Sequence, residues 1–269
     1  MAEMHTQDMG TRRFGRVNWL GLYTLASREI RRFVGVWTQT LLAPMVTAAL
    51  FLAIFSLAIG PGRGAVHGVP FVAFLAPGIL MMTVIQNAFA NTSSSIMISK
   101  VQGNIVDTLM PPLSALETLM GYLAGSIVRG VMVACTITFL IWLTVGLLPA
   151  HPLVVLIFVV LGSAFLGGLG IIAAIFANKF DQMAAITNFI ITPLSFLSGT
   201  FYSIESLPWA VQLITRFNPV FYLIDGARYG FIGSSDASPV FGIFLCFVVT
   251  SAVLAVCWSW LRTGYRMKP

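Results

Sequence analysis

Long apolar runs alternate along this chain with short polar breaks, and the runs are long enough to cross a bilayer. A spanning helix needs about 20 mostly apolar residues. Six stretches qualify: 36–60, 69–97, 116–148, 153–177, 183–201 and 240–261. Backbone amides in lipid must find partners within their own segment, so each run is expected to be a helix. Alternation at period two is weak, which argues against a membrane barrel. With no repeat and no Ser/Gly linker, residues 1–269 read as one domain. The first apolar run begins after about 33 residues, exceeds a signal h-region and lacks an Ala-x-Ala site, so it is expected to be an uncleaved span.

The breaks are patterned too. Between Val17 and Phe33, the residues Trp19, Leu22, Tyr23, Ala26, Ile30 and Phe33 recur at helical spacing, with Arg28, Glu29, Arg31 and Arg32 elsewhere. Residues 17–34 therefore predict a basic amphipathic helix suited to a headgroup layer. In the break at 99–113, Pro111 should end a short helix, because proline disfavours helix at the residue before it. Ser114 and Glu117 then have the spacing of a capping box opening the next helix. From Ala115 to Leu148 that helix would be about 51 Å long, against about 30 Å of hydrocarbon. It is expected to begin outside the lipid, with the 103–110 segment projecting from the membrane. Residues 202–239 are too apolar for a free loop. They predict two short helices, Ser206 to Phe217 and Val220 to Phe231, parted by Asn218-Pro219 and forming a re-entrant hairpin. Asp225 and Arg228 can pair on one face of the second.

Composition agrees with lipid as the main solvent. Of 269 residues, 58% are hydrophobic and 9% charged, where about 25% charged is typical of soluble domains. The mean hydropathy is +0.91. The same numbers exclude intrinsic disorder. The net charge of +6 reads as loop asymmetry rather than nucleic-acid binding. With the N-terminus inside, Arg12, Arg13, Arg16, Arg28, Arg31, Arg32, Lys100, Lys179, Arg262, Arg266 and Lys268 all fall on the cytoplasmic side. Arg63, Arg216 and Arg228 fall outside, and Arg129 lies within the third span. This bias predicts both termini in the cytoplasm.

Catalytic signatures are missing. Three lysines are preceded by Ser99, Asn178 and Met267, so no Walker A glycine-lysine exists and the chain has no nucleotide site of its own. Neither a Gly-x-Ser-x-Gly nor a His-Glu-x-x-His pattern occurs. The three histidines (His5, His67, His151) and three cysteines (Cys135, Cys246, Cys257) have no metal-ligand spacing, and no cofactor is expected. No acidic group lies deep in a span; Asp181, at the 178–182 turn, comes nearest, which counts against an ion-coupled carrier. Uncharged polar groups do occur in the spans. Gln86, Asn87, Asn91, Arg129, Asn188, Thr192, Ser195 and Ser198 are candidates for a transport path, or for interhelical hydrogen bonds. Gly121-x-x-x-Gly125 and the run Gly162, Ser163, Gly167, Gly168, Gly170 permit close helix packing.

Several stretches carry a resemblance. They are Phe74-Leu-Ala-Pro-Gly-Ile-Leu-Met-Met82, Gly103-Asn-Ile-Val-Asp-Thr-Leu-Met-Pro-Pro112, Pro193-Leu-Ser-Phe-Leu-Ser-Gly-Thr-Phe-Tyr202, Asn218-Pro-Val-Phe-Tyr222 and Arg228-Tyr-Gly-Phe231. With the order of elements, they make nearly the whole chain resemble the permease subunit of type-2 ABC exporters, in a bacterial inner-membrane branch. The resemblance implies an all-α fold of six spans with an amphipathic interface helix around Arg28, Glu29, Arg31 and Arg32. It implies a coupling helix at Gly103, Asn104, Ile105, Asp107, Leu109 and Met110, seated in an ATPase subunit, and an outer re-entrant hairpin at 202–239. Two permease copies would form the pathway and two ABC ATPase subunits would bind below, with membrane lipids and no nucleic acid as further partners. Cargoes in such a family are drugs, lipids, glycolipids or polysaccharides. A non-transporting assembly scaffold and an ion-coupled carrier remain the alternative readings.

Overall fold

The computed structural model describes residues 17–266, apart from 59–61, 63 and 67 and the side chains of 108 and 109. Expectations about His5, Arg12, Arg13, Arg16, Gly60, Arg63, His67 and Lys268 lie outside the described residues. Among the described residues the fold is helical, with one β-bridge between Val66 and Val69.

Eleven α-helices follow one another. They are α1 (Trp19–Val34), α2 (Ala43–Ala58), α3 (Phe71–Val101), α4 (Ile105–Leu109), α5 (Ala115–Val145), α6 (Pro152–Phe176), α7 (Phe180–Ile186), α8 (Thr192–Phe196), α9 (Trp209–Arg216), α10 (Pro219–Ile232) and α11 (Pro239–Thr263). A π turn at Thr38–Leu42 leads into α2, and another at Thr187–Ile191 joins α7 to α8. Among the described residues, five helices are long and apolar enough to span a membrane: Thr38–Ala58, α3, α5, α6 and α11. The predicted fifth run is helical from 180 to 196, in pieces of seven, five and five residues. It ends before Phe201 because the chain turns at Gly199, whose φ is +80°. The third run stops at Val145, not Leu148, where Gly146 takes the left-handed conformation at φ +71°.

Helix α3 is the centre of the bundle. Its residues are apolar on nearly every face, and such a helix is stable only when surrounded. It packs against α5, α6, α10 and α2. Helix α6 runs alongside, and its small residues bring neighbours close. A Cβ on Gly162 would meet the Met81 side chain, one on Gly167 the Ser126 side chain, and one on Gly170 the backbone carbonyl of Phe89 at 2.6 Å. The small-residue run is thus a packing surface turned to several neighbours at once.

At one end, α1 lies lengthwise on the start of α5, with Leu25 against Gly121 and Glu29 against Gly125. Of the apolar face expected to meet the headgroup layer, Phe33 is fully buried against the bundle. Trp19 and Tyr23 are exposed, while Asn18, Leu25, Glu29 and Phe33 are buried. The helix chose the stripe whose one charge could be neutralised on docking, a property hydropathy does not weigh. This is called the α1 end below. The opposite end is closed by α9 and α10, which fall at 209–216 and 219–232, close to the predicted hairpin helices.

Candidate functional site

Two polar clusters stand out, one at each end. At the α1 end the chain entering α1 is clamped to the start of α5. The Asn18 side chain caps α1 by accepting from Gly21 N–H at 2.9 Å. Its own backbone N–H donates to Glu117 Oε1 at 2.6 Å, and the Ser114 N–H donates to Glu117 Oε2 at 2.7 Å. Ser114 Oγ accepts from Glu117 N–H at 3.3 Å, completing the predicted capping box. One carboxylate therefore holds the N-termini of two helices.

Further along, Glu29 has no exposed side-chain surface. Its carboxylate accepts from Ser95 at 2.8 Å, Arg28 at 3.1 Å and Arg32 at 3.3 Å. Arg32 also donates to the Asn91 carbonyl at 2.8 Å and to Ser94 Oγ at 3.2 Å. A buried carboxylate is tolerable only with such company. The arrangement locks α1 onto the end of α3.

Beyond α3 the chain turns at Gly103, where φ is +74°, and makes the single turn of α4. Ile105 is buried and pins it. Asn104 and Asp107 are exposed, as are Val106 and Met110. Leu109 ends the helix, and its side chain is outside the described ones. Asp107 lies at the junction of two clefts. One, of about 530 Å³, is lined by Arg28, Arg31, Arg32, Gln102 and Asn104 among others. The other, of about 350 Å³, lies between α1 and the Pro111–Leu113 segment. Of the predicted interface and coupling residues, Arg28 and Asp107 line both clefts, while Glu29 and Ile105 are buried beneath them.

Lys100, just before this turn, reaches the last carbonyls of α6. Its Nζ donates to Ala174 and Ile175 at 3.0 Å and to Ala177 at 2.7 Å. An ammonium at a helix C-terminus completes orphan carbonyls and complements the dipole. Lys100→Met is expected to leave the bundle folded while loosening the 177–182 turn. Amide hydrogen exchange there should accelerate about tenfold or more, the loss of at least one charge-assisted bond, with no change in the middle of α3.

The candidate pathway residues separate. Asn87 and Arg129 are joined, Arg129 Nη2 donating to Asn87 Oδ1 at 2.8 Å. Gln86 is half-buried nearby in sequence, and Asn91 is fully buried beside Arg32. The residues of the fifth run are not joined to these by any hydrogen bond among the described residues. Asn188 is exposed and Thr192 half-buried. Ser195 donates to Ile191 O at 2.7 Å, and Ser198 to Leu194 O.

The far-end cluster was only partly foreseen. Arg228 and Asp225 do pair, at 3.4 Å, but both are buried. Arg228 Nη2 donates to Gly199 O at 2.6 Å, and its guanidinium lies 3.9 Å from the Phe74 ring centroid. The Phe74 carbonyl accepts from Arg228 Nε at 3.4 Å. Asp225 accepts from the Asp236 and Ala237 amides at 3.0 and 2.9 Å. Asp236 in turn accepts from Ser203 Oγ at 2.7 Å and Ile204 N–H at 2.9 Å. Sequence reading missed Asp236, whose Ser-Ser-Asp-Ala-Ser-Pro surroundings look like an ordinary turn.

All three cysteines are free, and the described residues contain no group of His, Cys, Asp and Glu able to hold a metal.

A bundle of long apolar helices with a polar, protruding end defines a multi-pass membrane protein. A family profile described as ABC-2 type transporter matches residues 21–232, and the chain belongs to that family of transport permeases. It is similar to the inner membrane transport permease YadH of Escherichia coli K12, 36% identical over 252 residues that cover 93% of this chain and 98% of the relative. It is also similar to nodulation protein J of Rhizobium leguminosarum bv. viciae, 27% identical over 89% of this chain and 95% of that protein. The same-named protein of Rhizobium meliloti is 27% identical over 81% of this chain.

Proposed function

We propose that this chain is the membrane subunit of an ATP-driven exporter in a bacterial inner membrane, powered by separate ATPase subunits that dock at the α1 end. The observation that carries the reading is the rigid presentation of α4. Ile105 is buried, and the segment leaving α4 is tied to α1 where Asn18 Nδ2 donates to Pro112 O at 3.2 Å, while Val106, Asp107 and Met110 face out. A knob fixed on both sides transmits a push, where a floppy loop would absorb it. Helix α1 supplies the second contact through Arg28 and Arg31. In this reading the α1 end is cytoplasmic, as the basic residues predict.

The 180–196 helix is the sixth span, about 25 Å long at 1.5 Å per residue and completed by the turn through Gly199. Its exposed face holds Asn188 beside Phe189 and Ile190. An amide facing lipid is costly. A second copy of the chain, meeting this face and the exposed Val46, Leu50 and Ile54 of α2, covers it. The pathway runs between the two copies, with 202–239 as a re-entrant cap on the outer side. The cargo is an amphipathic lipid, glycolipid, polysaccharide or drug.

The test is reconstitution with the cognate ATPase. Asp107→Arg is expected to weaken ATPase binding to the permease about tenfold or more, since an attractive charged contact becomes repulsive, while membrane levels stay normal. Unchanged binding and hydrolysis after Asp107→Arg, or after removal of 103–110, would overturn the docking assignment.

A further inference from the structure

Arg129 is the basic residue set within a long apolar stretch, and its hydrogen bonding is incomplete. One Nη donates to Asn87, and Nε is buried without a partner. Among the described residues it has no carboxylate partner. The neighbouring cation, Arg32, is held on α3 at the Asn91 carbonyl and Ser94 Oγ. Arg32 Nε and Asn91 Nδ2 are likewise buried without partners. The only acid in this group, Glu29, is already engaged by Arg28, Arg32 and Ser95. Both cations are thus held along α3, Arg129 at Asn87 and Arg32 at Asn91 and Ser94 on the following turns.

Depth sharpens the point. Helix α5 has 31 residues, and about 20 of them fill the hydrocarbon. With Val145 at one boundary, the other falls near Gly125. Arg129 then sits about one turn inside it, within reach of lipid headgroups for so long a side chain. An unpaired charge there is costly, and so is each unmatched buried donor. An anion with several acceptor oxygens relieves both costs, and a guanidinium edge matches a phosphate in two parallel bonds.

We propose that Arg129 and Arg32, with the Asn91 amide, bind the phosphate of an anionic amphipath at the inner membrane boundary. A small rotation of the Arg129 side chain turns its Nε–Nη edge to the stripe. The proposal rests on the permease reading only for which leaflet faces this end. It needs no ATPase, so it and the docking assignment can fail separately.

The experiment places the full chain in phosphatidylcholine nanodiscs, with and without phosphatidic acid, and reads the thermal midpoint and the lipid retained in native mass spectrometry. The expected result is a higher midpoint and bound phosphatidic acid in the wild type, with retention about tenfold lower in Arg129→Gln and intermediate in Arg129→Lys. Lys179→Gln, a change to an exposed basic residue, should behave as wild type. If Arg129→Gln does not fold, Asn87→Leu, which frees Arg129 from its positioning contact, should lower retention in the same sense. Inorganic phosphate added to phosphatidylcholine discs separates the sources. A midpoint rise there that disappears in Arg129→Gln supports the site and assigns it to a free anion. Equal lipid retention by wild type and Arg129→Gln, or no preference for phosphatidic acid, overturns it.

Discussion

Asp225→Ala is expected to destabilise the protein by about 3–5 kcal/mol, the usual cost of removing one partner from a buried ion pair. Arg228 has no exposed surface, so its charge would stay in the interior without its paired carboxylate. The amides of Asp236 and Ala237 would lose their acceptor as well. Asp225 thus supports three attachments: α10 to itself, α10 to the turn before α11, and through Asp236 that turn to Ser203 and Ile204. The measurement is the fraction of folded protein during heating in detergent. The paired change Asp225→Leu with Arg228→Met should be milder than Asp225→Ala alone, because replacing both charges by apolar groups removes the desolvation penalty. If the double variant were as unstable as the single one, the ion pair would not be the origin of the effect.

The second large effect is expected at the α3–α6 contact. Gly170→Val would place a Cβ 2.6 Å from the Phe89 carbonyl oxygen and 2.3 Å from Thr92 Oγ1. A backbone carbonyl cannot step aside without moving the central helix, so the loss should reach about 3 kcal/mol, the upper end for overpacking. Gly168, two residues earlier, faces only the ends of the Val253 and Leu254 side chains, at 2.9 and 3.0 Å. Those can rotate, so Gly168→Ala should cost under about 1 kcal/mol. Comparing folded yield and thermal midpoint for the two variants checks the argument. Similar losses at both positions would mean that side-chain crowding, not backbone contact, limits this interface.

Some elements were legible because a local rule decides them. Ser114 and Glu117 announce a capping box, and the structure contains it. Asn218-Pro219 reads as a break between two short helices, and α9 ends just before it while α10 begins at Pro219. Other features were not legible, because they depend on partners far along the chain. Glu29 reads as a surface charge among arginines, yet it is buried by Ser95, which lies 66 residues away. Lys100 reads as a boundary lysine, yet it caps α6 some 75 residues on. Asp236 reads as a turn residue and acts as the second half of the far-end cluster. Arg129 could be placed in a span from sequence, but its contact with Asn87 and its lack of an acid required the packed bundle.

By itself the sequence determined that this is a helical membrane protein and where its long helices lie. Length and apolarity decide that directly, since a backbone in lipid has few alternatives to a helix. It also marked the small residues at which helices approach. Tertiary structure decided which face of α1 is buried, which polar groups meet, and how α4 is held. Those outcomes turn on pairing energies between charges and donors brought together only on packing, and no pattern read along a single chain contains them.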